Sequence, residues 1–312
     1  MKIIKSDFLS DNVRCDGDLY LPAGITNPPV VIMAHGLGGQ KDFRLEAFAK
    51  RFVEKQMAVF LFDYRTFGKS DGEPRQLVDP VRHVEDWRAA IAHIRTLSEI
   101  DNTRIALWGS SFSGGHVIKC ASEDKEIRAV VSQVPFVSGW SSMQLKSFSD
   151  IFLASMYGTY DAIKSFLYLS PHYSPLLAQP GSFAAMNTED SYDGYMSVVP
   201  EESTWENKMQ SRGFLKMTFY SPWSKADQIK APTLVMPGRH DSLIPLDAVE
   251  AAAKELPNGE LVIMDCGHFD PYTGEMFEEF IKRQIAFLEK YLRGRGVFTP
   301  RELGGQIFNL DN

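Results

Sequence analysis

The fold is decided by the stretch Gly109-Ser110-Ser111-Phe112-Ser113-Gly114-Gly115. It directly follows residues 104–108, Arg-Ile-Ala-Leu-Trp, whose apolar character predicts a short buried strand. A serine among small residues at the end of such a strand predicts a sharp turn that raises one hydroxyl above a sheet, with a helix beginning straight after it. Because that turn exposes the serine oxygen to a substrate, the stretch predicts a nucleophilic serine that takes part in acyl transfer.

Ser111 is the best placed of the three serines. Gly109 stands two positions before it, where the turn leaves no room for a side chain. The same position is Trp108 for Ser110, and it is a serine for Ser113. The usual pattern has glycine two positions after the nucleophile, where this chain has Ser113. Serine is small and two glycines follow it, so close packing of the helix remains compatible with the pattern.

Composition predicts a soluble globular protein and excludes several classes of partner. The chain has 312 residues, of which 44% are hydrophobic, and a net charge of −7, so a basic nucleic-acid footprint is absent. No apolar run approaches the roughly 20 residues that span a bilayer. Charges within the first seven residues argue against a secretory signal. The three widely spaced cysteines argue against a disulfide framework, so we expect a cytoplasmic protein with no nucleic-acid or membrane partner.

Apolar runs of strand length alternate with helix-period segments along most of the chain. This alternation predicts an α/β fold with a mostly parallel sheet flanked by helices. Residues before Pro22 predict a short antiparallel pair at the sheet edge. The predicted strands are 30–34, 58–62, 104–108, 129–131, 233–236 and 260–264, and the predicted helical segments are 45–53, 84–94, 114–122 and 276–291.

Residues 136–223 break this rhythm. They contain 17 of the 37 aromatic residues and 6 of the 12 methionines, and they lie between two predicted sheet strands. We therefore expect an inserted cap over a core formed by residues 1–135 and 224–312. Most of its aromatic side chains should pack within the cap, and others should line an apolar substrate pocket. The tail after Gly294 is the segment in which disorder is most expected.

A serine hydroxyl needs an adjacent base to become a nucleophile. In this architecture the base lies far downstream, in a loop after the last sheet strand. His268 has that position because it follows the predicted strand 260–264. His240 is a rival that lacks the spacing, and His35 precedes a glycine at a strand end, where shaping of the loop is the expected role.

The base in turn needs a carboxylate that orients it. Asp241 directly follows the predicted strand 233–236, which gives the chain order Ser111, Asp241, His268. The spacing of 130 positions between the serine and the aspartate leaves room for the cap. Asp265 and Asp270 remain alternatives, although both lie close to the histidine in sequence.

Backbone N–H groups are suited to hold the oxyanion that forms when serine attacks a carbonyl. The N–H of Phe112, directly after the nucleophile, is one candidate. The other lies in residues 35–39, His-Gly-Leu-Gly-Gly, where glycines let the backbone approach a substrate closely. We expect the N–H of Leu37 to be this second donor.

Two stretches resemble cofactor-binding motifs but lack a residue that each motif requires. Gly68-Lys69-Ser70 resembles the end of a phosphate loop, but Asp63 stands where that motif requires glycine. The glycines at 36, 38 and 39 do not form a dinucleotide fingerprint, because position 41 is Lys. The spacings typical of zinc sites are also missing. No cofactor or metal is expected.

Taken together, these motifs resemble the α/β-hydrolase superfamily, and the similarity extends over nearly the whole chain. The subgroup that it resembles is related to dienelactone hydrolases and includes fungal polyketide transferases and thiohydrolases. The resemblance implies the α/β-hydrolase fold with Ser111 as nucleophile, Asp241 as acid and His268 as base. Dienelactone hydrolases proper use cysteine as nucleophile, so their substrate is not implied. The segments that carry the resemblance are 35–42, 62–75 and 107–116.

The predicted activity is hydrolysis of carboxylic esters or thioesters through an acyl-enzyme, with a small-molecule acyl substrate as the partner. An acyltransferase is the alternative, because a bound alcohol could intercept the same intermediate. A third hypothesis is a catalytically silent binding protein on the same fold. Acyl-chain identity stays open, and so does a homodimeric state.

Overall fold

The computed structural model of the protein describes residues 1–293, and the tail after Gly294 lies outside the described residues. Within them, eight strands form one mixed sheet. In their order across the sheet these strands are β1 (Lys2–Lys5), β4 (Gly17–Leu21), β6 (Ala58–Phe62), β5 (Val30–Ala34), β7 (Ile105–Ser110), β8 (Ala129–Gln133), β11 (Thr233–Met236) and β12 (Gly259–Leu261).

The sheet is mostly parallel, as predicted. Only β4 runs antiparallel to its neighbours, β1 and β6, and the remaining neighbouring pairs are parallel. Every residue of β5, β6, β7, β8 and β11 is buried, because these runs are covered on both faces. The antiparallel pair expected before Pro22 is confirmed as β1 and β4. A separate hairpin of two three-residue strands was not predicted, since such strands are too short to show alternation: β2 (Phe8–Ser10) and β3 (Val13–Cys15).

Helices cover the sheet as the alternation predicted, and one further helix, Leu246–Ala253, was not predicted. The helix over 45–54 packs against the helix over 274–293, and the helix over 80–94 packs against the helix over 112–123. The helices over 45–54, 112–123 and 274–293 also contact strands of the sheet. The core helices are α1 (Leu45–Glu54), α2 (Pro80–Ile94), α3 (Phe112–Glu123), α8 (Leu246–Ala253) and α9 (Gly274–Arg293).

Several element boundaries differ from the sequence prediction by a few residues, and two of these differences have a clear local reason. The second helix begins at Pro80, earlier than its first predicted apolar position, because the Asp79 side chain accepts a hydrogen bond from the N–H of Val81 and proline suits the first helical turn. The strand expected over 260–264 ends at Leu261. Pro237 lies opposite its second half, and proline lacks the N–H that would donate the return bond of the ladder.

Residues 134–232 connect β8 to β11 with four helices and one small ribbon. Eight of the 17 aromatic side chains in 136–223 are exposed, so packing within this segment accounts for only about half of them. The longest helix of this segment was not predicted from the sequence. Its elements are α4 (Gly139–Met143), α5 (Phe148–Phe166), β9 (Tyr173–Ser174), α6 (Ser191–Met196), β10 (Met209–Gln210) and α7 (Gly213–Thr218).

Two further features bear on the composition argument. The three cysteines are free and buried. No helix in residues 1–293 combines the length and the hydrophobicity required to cross a membrane.

Candidate active site

Ser111 lies at the tight turn between β7 and α3. Its backbone has φ 57° and ψ −121°, a left-handed conformation that is strained for a residue with a side chain. A Cβ at Gly109 would lie 2.2 Å from the carbonyl oxygen of Ser113, so this position requires glycine. A Cβ at Gly36 would lie 2.9 Å from the Cβ of Ser111. Both glycines are therefore needed for the turn to lift the serine toward the 36–39 loop.

A continuous relay joins the three side chains that the sequence singled out. The Oγ of Ser111 lies 2.9 Å from Nε2 of His268, and Nδ1 of His268 lies 2.7 Å from Oδ2 of Asp241. The side chains of His268 and Asp241 are only 3% and 2% exposed. In this arrangement a neutral imidazole can accept the serine proton on one nitrogen while its other N–H donates to the carboxylate.

The loops that follow neighbouring strands hold the histidine and the aspartate. The second carboxylate oxygen of Asp241, Oδ1, accepts hydrogen bonds of 2.9 Å from the N–H groups of Leu243 and Ile244. The ring of Phe269 packs edge-on against the imidazole of His268 at 5.0 Å. Because these contacts are backbone bonds and ring packing, they fix both side chains before any substrate arrives.

The alternative residues have other partners. Ser110 is buried and accepts a 2.6 Å hydrogen bond from the hydroxyl of Tyr272, and the Ser113 hydroxyl lies 2.9 Å from that of Tyr64. Asp265 is exposed at the surface, where it lies 2.9 Å from His240. Asp270 accepts from the N–H of residue 267. None of these four contacts involves Ser111 or His268.

The two predicted oxyanion donors flank Ser111. Phe112 is the first residue of α3, and the first N–H groups of a helix have no partner within it. Leu37 lines the cavity next to Ser111. The Gly36 carbonyl accepts a bond of 3.3 Å from the N–H of Gly39, and in a trans peptide the N–H points opposite to the carbonyl. The Leu37 N–H therefore points away from this turn.

Sequence reasoning missed two residues that hold this loop. The Tyr195 hydroxyl donates to the carbonyl of Leu37, and the indole N–H of Trp205 donates to the carbonyl of Gly38, both at 2.9 Å. Tyr195 and Trp205 pack against one another with ring centroids 5.4 Å apart. The only signal in the sequence was an aromatic residue with a polar tip, which is common in any buried segment.

We expect Tyr195→Phe to lower kcat about tenfold while KM stays within about twofold, because loss of a positioning bond is milder than loss of a whole oxyanion donor. The measurement is steady-state ester hydrolysis. Tyr192→Phe serves as the matched control, since Tyr192 is on the same helix and is exposed. Equal kcat for Tyr195→Phe and wild type would contradict the positioning role.

His35 has a structural environment. It is fully enclosed, and this burial lowers its pKa to about 4, so the ring is neutral at neutral pH. Its Nδ1 accepts a 2.8 Å bond from the N–H of Gly36, and the ring stacks on Tyr272 at 5.7 Å. The side chain therefore shapes the start of the 36–39 loop.

A cavity of about 170 Å³ opens from Ser111 beneath residues 136–223. Its walls are mainly apolar. Several polar side chains interrupt them. One is Lys146, whose ammonium donates a 2.7 Å bond to the side-chain oxygen of Asn187. Burial lowers the pKa of Lys146. The apolar lining includes Phe136, Met143, Ile151, Ala154, Phe214 and Ile244.

Comparison with known proteins agrees with the fold described above. A family model described as alpha/beta hydrolase fold matches residues 29–275. The chain belongs to the alpha/beta hydrolase fold family. This confirms the resemblance inferred from the motifs, and hydrolytic chemistry is the broad class of activity that the comparisons support.

The relatives include the subgroup that the motifs indicated. Quorum-quenching protein AidA of Acinetobacter baumannii is 41% identical over 91% of this chain and 93% of its own length. Thiohydrolase aneE of Aspergillus aculeatus is 27% identical over 93% of each chain. Polyketide transferase af380 of Aspergillus fumigatus is 26% identical over 89% of this chain and 96% of its own.

Solved structures agree on the fold. The alpha/beta hydrolase GrgF from Penicillium sp. sh18 matches with a TM-score of 0.79 and 23% identity over 94% of this chain and 100% of that one. This similarity establishes the architecture that positions the site.

Proposed function

We propose that the protein is a serine hydrolase that cleaves carboxylic esters or thioesters through an acyl-enzyme. The observation that carries the proposal is the buried relay from the Ser111 hydroxyl through His268 to Asp241, with distances of 2.9 and 2.7 Å. The name of the thiohydrolase relative supports the same class of substrate.

In the first half of the reaction, His268 Nε2 takes the proton of Ser111 as Oγ attacks the acyl carbonyl carbon. The N–H groups of Leu37 and Phe112 hold the resulting oxyanion. The tetrahedral intermediate then collapses. The bond to the leaving group breaks, His268 gives its proton to the departing alcohol or thiol, and the acyl group stays on Oγ.

In the second half, water replaces the leaving group. His268 removes a proton from the water, whose oxygen attacks the acyl carbon, and Ser111 recovers its proton as the acid departs. Asp241 keeps Nδ1 protonated throughout, so that Nε2 can accept a proton at each step.

The substrate follows from the cavity. Apolar walls favour an acyl group with an apolar or aromatic part, and we assign residues 136–223 as the cap that covers it. Lys146, which lines this pocket and bonds to Asn187, gives it a polar group that can orient a carbonyl or hydroxyl on the bound chain.

The test combines active-site labelling with a substrate panel. A fluorophosphonate should label the folded protein, and peptide mass spectrometry should place the adduct on Ser111. A matched series of esters and thioesters should show higher kcat/KM for apolar chains than for acetyl. Absence of labelling would favour the catalytically silent binding protein, and a preference for acetyl would contradict the apolar pocket.

We expect Ala154→Trp to reduce kcat/KM for long-chain esters by about tenfold or more, because the indole fills the acyl cavity. Hydrolysis of the acetate ester should change little and serves as the internal reference. The control variant is Ala251→Trp on the exposed side of α8. An equal decrease of kcat/KM for acetate and long-chain esters would indicate that the substitution disturbs the whole active site. That result would contradict the placement of the acyl chain beside Ala154.

Acyl transfer is the second candidate, because a polyketide transferase is among the relatives. The acyl-enzyme would form identically, and a bound alcohol would attack it in place of water. Product analysis with and without candidate alcohols separates the two. Free acid as the sole product in every case would contradict the transferase activity.

A further inference from the structure

The helix α5 presents an apolar face to solvent. At about 100° of rotation per residue, its large exposed side chains fall within a sector of about 120°. Phe148 and Phe166, at the two ends of the helix, are 84% and 82% exposed. The side chains that form this face are Phe148, Phe152, Met156, Tyr160, Ile163 and Phe166.

The face continues into the turn after the helix, where Leu167 and Leu169 are exposed and Tyr168 is 98% exposed. At about 200 Å² per aromatic side chain, the five rings from 148 to 168 expose roughly 750 Å² before the aliphatic residues are added. Exposed apolar patches on monomers are usually about 300–600 Å². A standard protein interface buries about 800 Å² per partner, so this surface is large enough for one.

We propose that this face is the interface of a homodimer, in which two copies of α5 pack antiparallel across a twofold axis. An isologous contact needs a surface that complements itself. The mainly apolar stripe on α5, interrupted by the exposed Ser149 and Thr159, is centred near the middle of the helix and meets that need. Aromatic and methionine side chains are also the residues enriched in interface cores.

The charges of α5 favour a second copy over a lipid surface. Helices that lie on membranes carry many Lys and Arg residues on their polar face. The charged residues of α5 are Asp150, Asp161 and Lys164, and Asp161 is buried, where it accepts bonds from the N–H groups of residues 172 and 212. The net charge of −7 also disfavours an anionic bilayer.

The same helix also lines the acyl cavity, through Ile151 and Ala154 on its other side and through Ser155 at the edge of the apolar face. Leu145 both lines that cavity and is 48% exposed beside the apolar face. A partner on the outer face therefore braces one wall of the pocket. The dimer proposal does not depend on the proposed hydrolase activity, because its test measures the molecular mass of the protein in solution.

The experiment measures the mass of the full chain by sedimentation across a dilution series. We expect twice the chain mass of 35.1 kDa for wild type. The double variant Phe152→Glu/Phe166→Glu should weaken dimerisation by at least about 100-fold, since it places two charges among the aromatic residues that dominate interface energy. Val81→Glu is the matched control, because Val81 is also exposed and lies on α2.

A second measurement avoids the charged substitutions, which could destabilise the fold. Thr159 is exposed near the middle of α5. Since the native cysteines are buried, Thr159→Cys should give a covalent dimer with a short bismaleimide, whereas Val81→Cys should not. A wild-type monomer at every concentration, or equal cross-linking of both variants, overturns the proposal. A monomer that binds phosphatidylcholine vesicles through Phe152 and Phe166 would assign the face to lipid.

Discussion

Ser111→Ala is expected to lower kcat for ester hydrolysis by about 10⁴- to 10⁶-fold, the range seen when a triad nucleophile is removed. The residual rate would come from the backbone donors and substrate binding. The measurement is kcat and KM on the preferred ester, after ion exchange has removed contaminating esterases.

The neighbouring serines provide the controls for this variant. Ser110→Ala and Ser113→Ala each remove a buried hydroxyl that bonds to a tyrosine, so they should lower stability by about 1 kcal/mol. Both should keep kcat within about tenfold of wild type. Activity that survives Ser111→Ala but disappears with Ser113→Ala would move the nucleophile by two residues and contradict the proposed mechanism.

Asp241→Asn is expected to lower kcat about 10⁴-fold while the fold is preserved. The asparagine oxygen can still accept from the N–H groups of Leu243 and Ile244, so its amide NH₂ must face Nδ1 of His268. That contact forces the other tautomer, with the proton on Nε2, and this nitrogen can no longer accept the serine proton.

Asp265→Asn is the matched control, because this carboxylate is 80% exposed and pairs with His240 at the surface. It should leave kcat within about twofold. The measurement is kcat for both variants, with thermal unfolding to confirm an intact fold. A larger loss from Asp265→Asn than from Asp241→Asn would mean that the orienting carboxylate was assigned wrongly.

The parts of the fold that depend on local chemistry could be predicted from the sequence. Strands β5, β6 and β11 are continuous apolar runs, and their ends match the prediction at both boundaries. Ser111, Asp241 and His268 could be picked out because the turn demands Gly109 and the fold fixes the chain order of the other two. The structure brings them together, and their catalytic roles stay a prediction.

The parts that depend on distant contacts could not be predicted. Tyr195 and Trp205 hold backbone carbonyls more than 150 residues away in the chain, and a backbone carbonyl leaves no signal in the sequence. The aromatic content of 136–223 was visible. Which of these aromatic side chains line the cavity, which pack in the core and which lie on the outer face of α5 could not be predicted. Periodicity shows that a helix is amphipathic, but it does not show which neighbour covers its apolar face.

If residues 136–223 are the proposed cap, the bonds from Tyr195 and Trp205 couple substrate entry to the readiness of the site for catalysis. Both side chains belong to the proposed cap, and their partners are in the loop that contains Leu37, the proposed second oxyanion donor. If entry of the acyl chain lifts that cap, the carbonyls of residues 37 and 38 lose their anchors at the same moment. The open enzyme would then lack a preorganised oxyanion donor, and bond breaking would wait until the substrate is enclosed and bulk water is excluded.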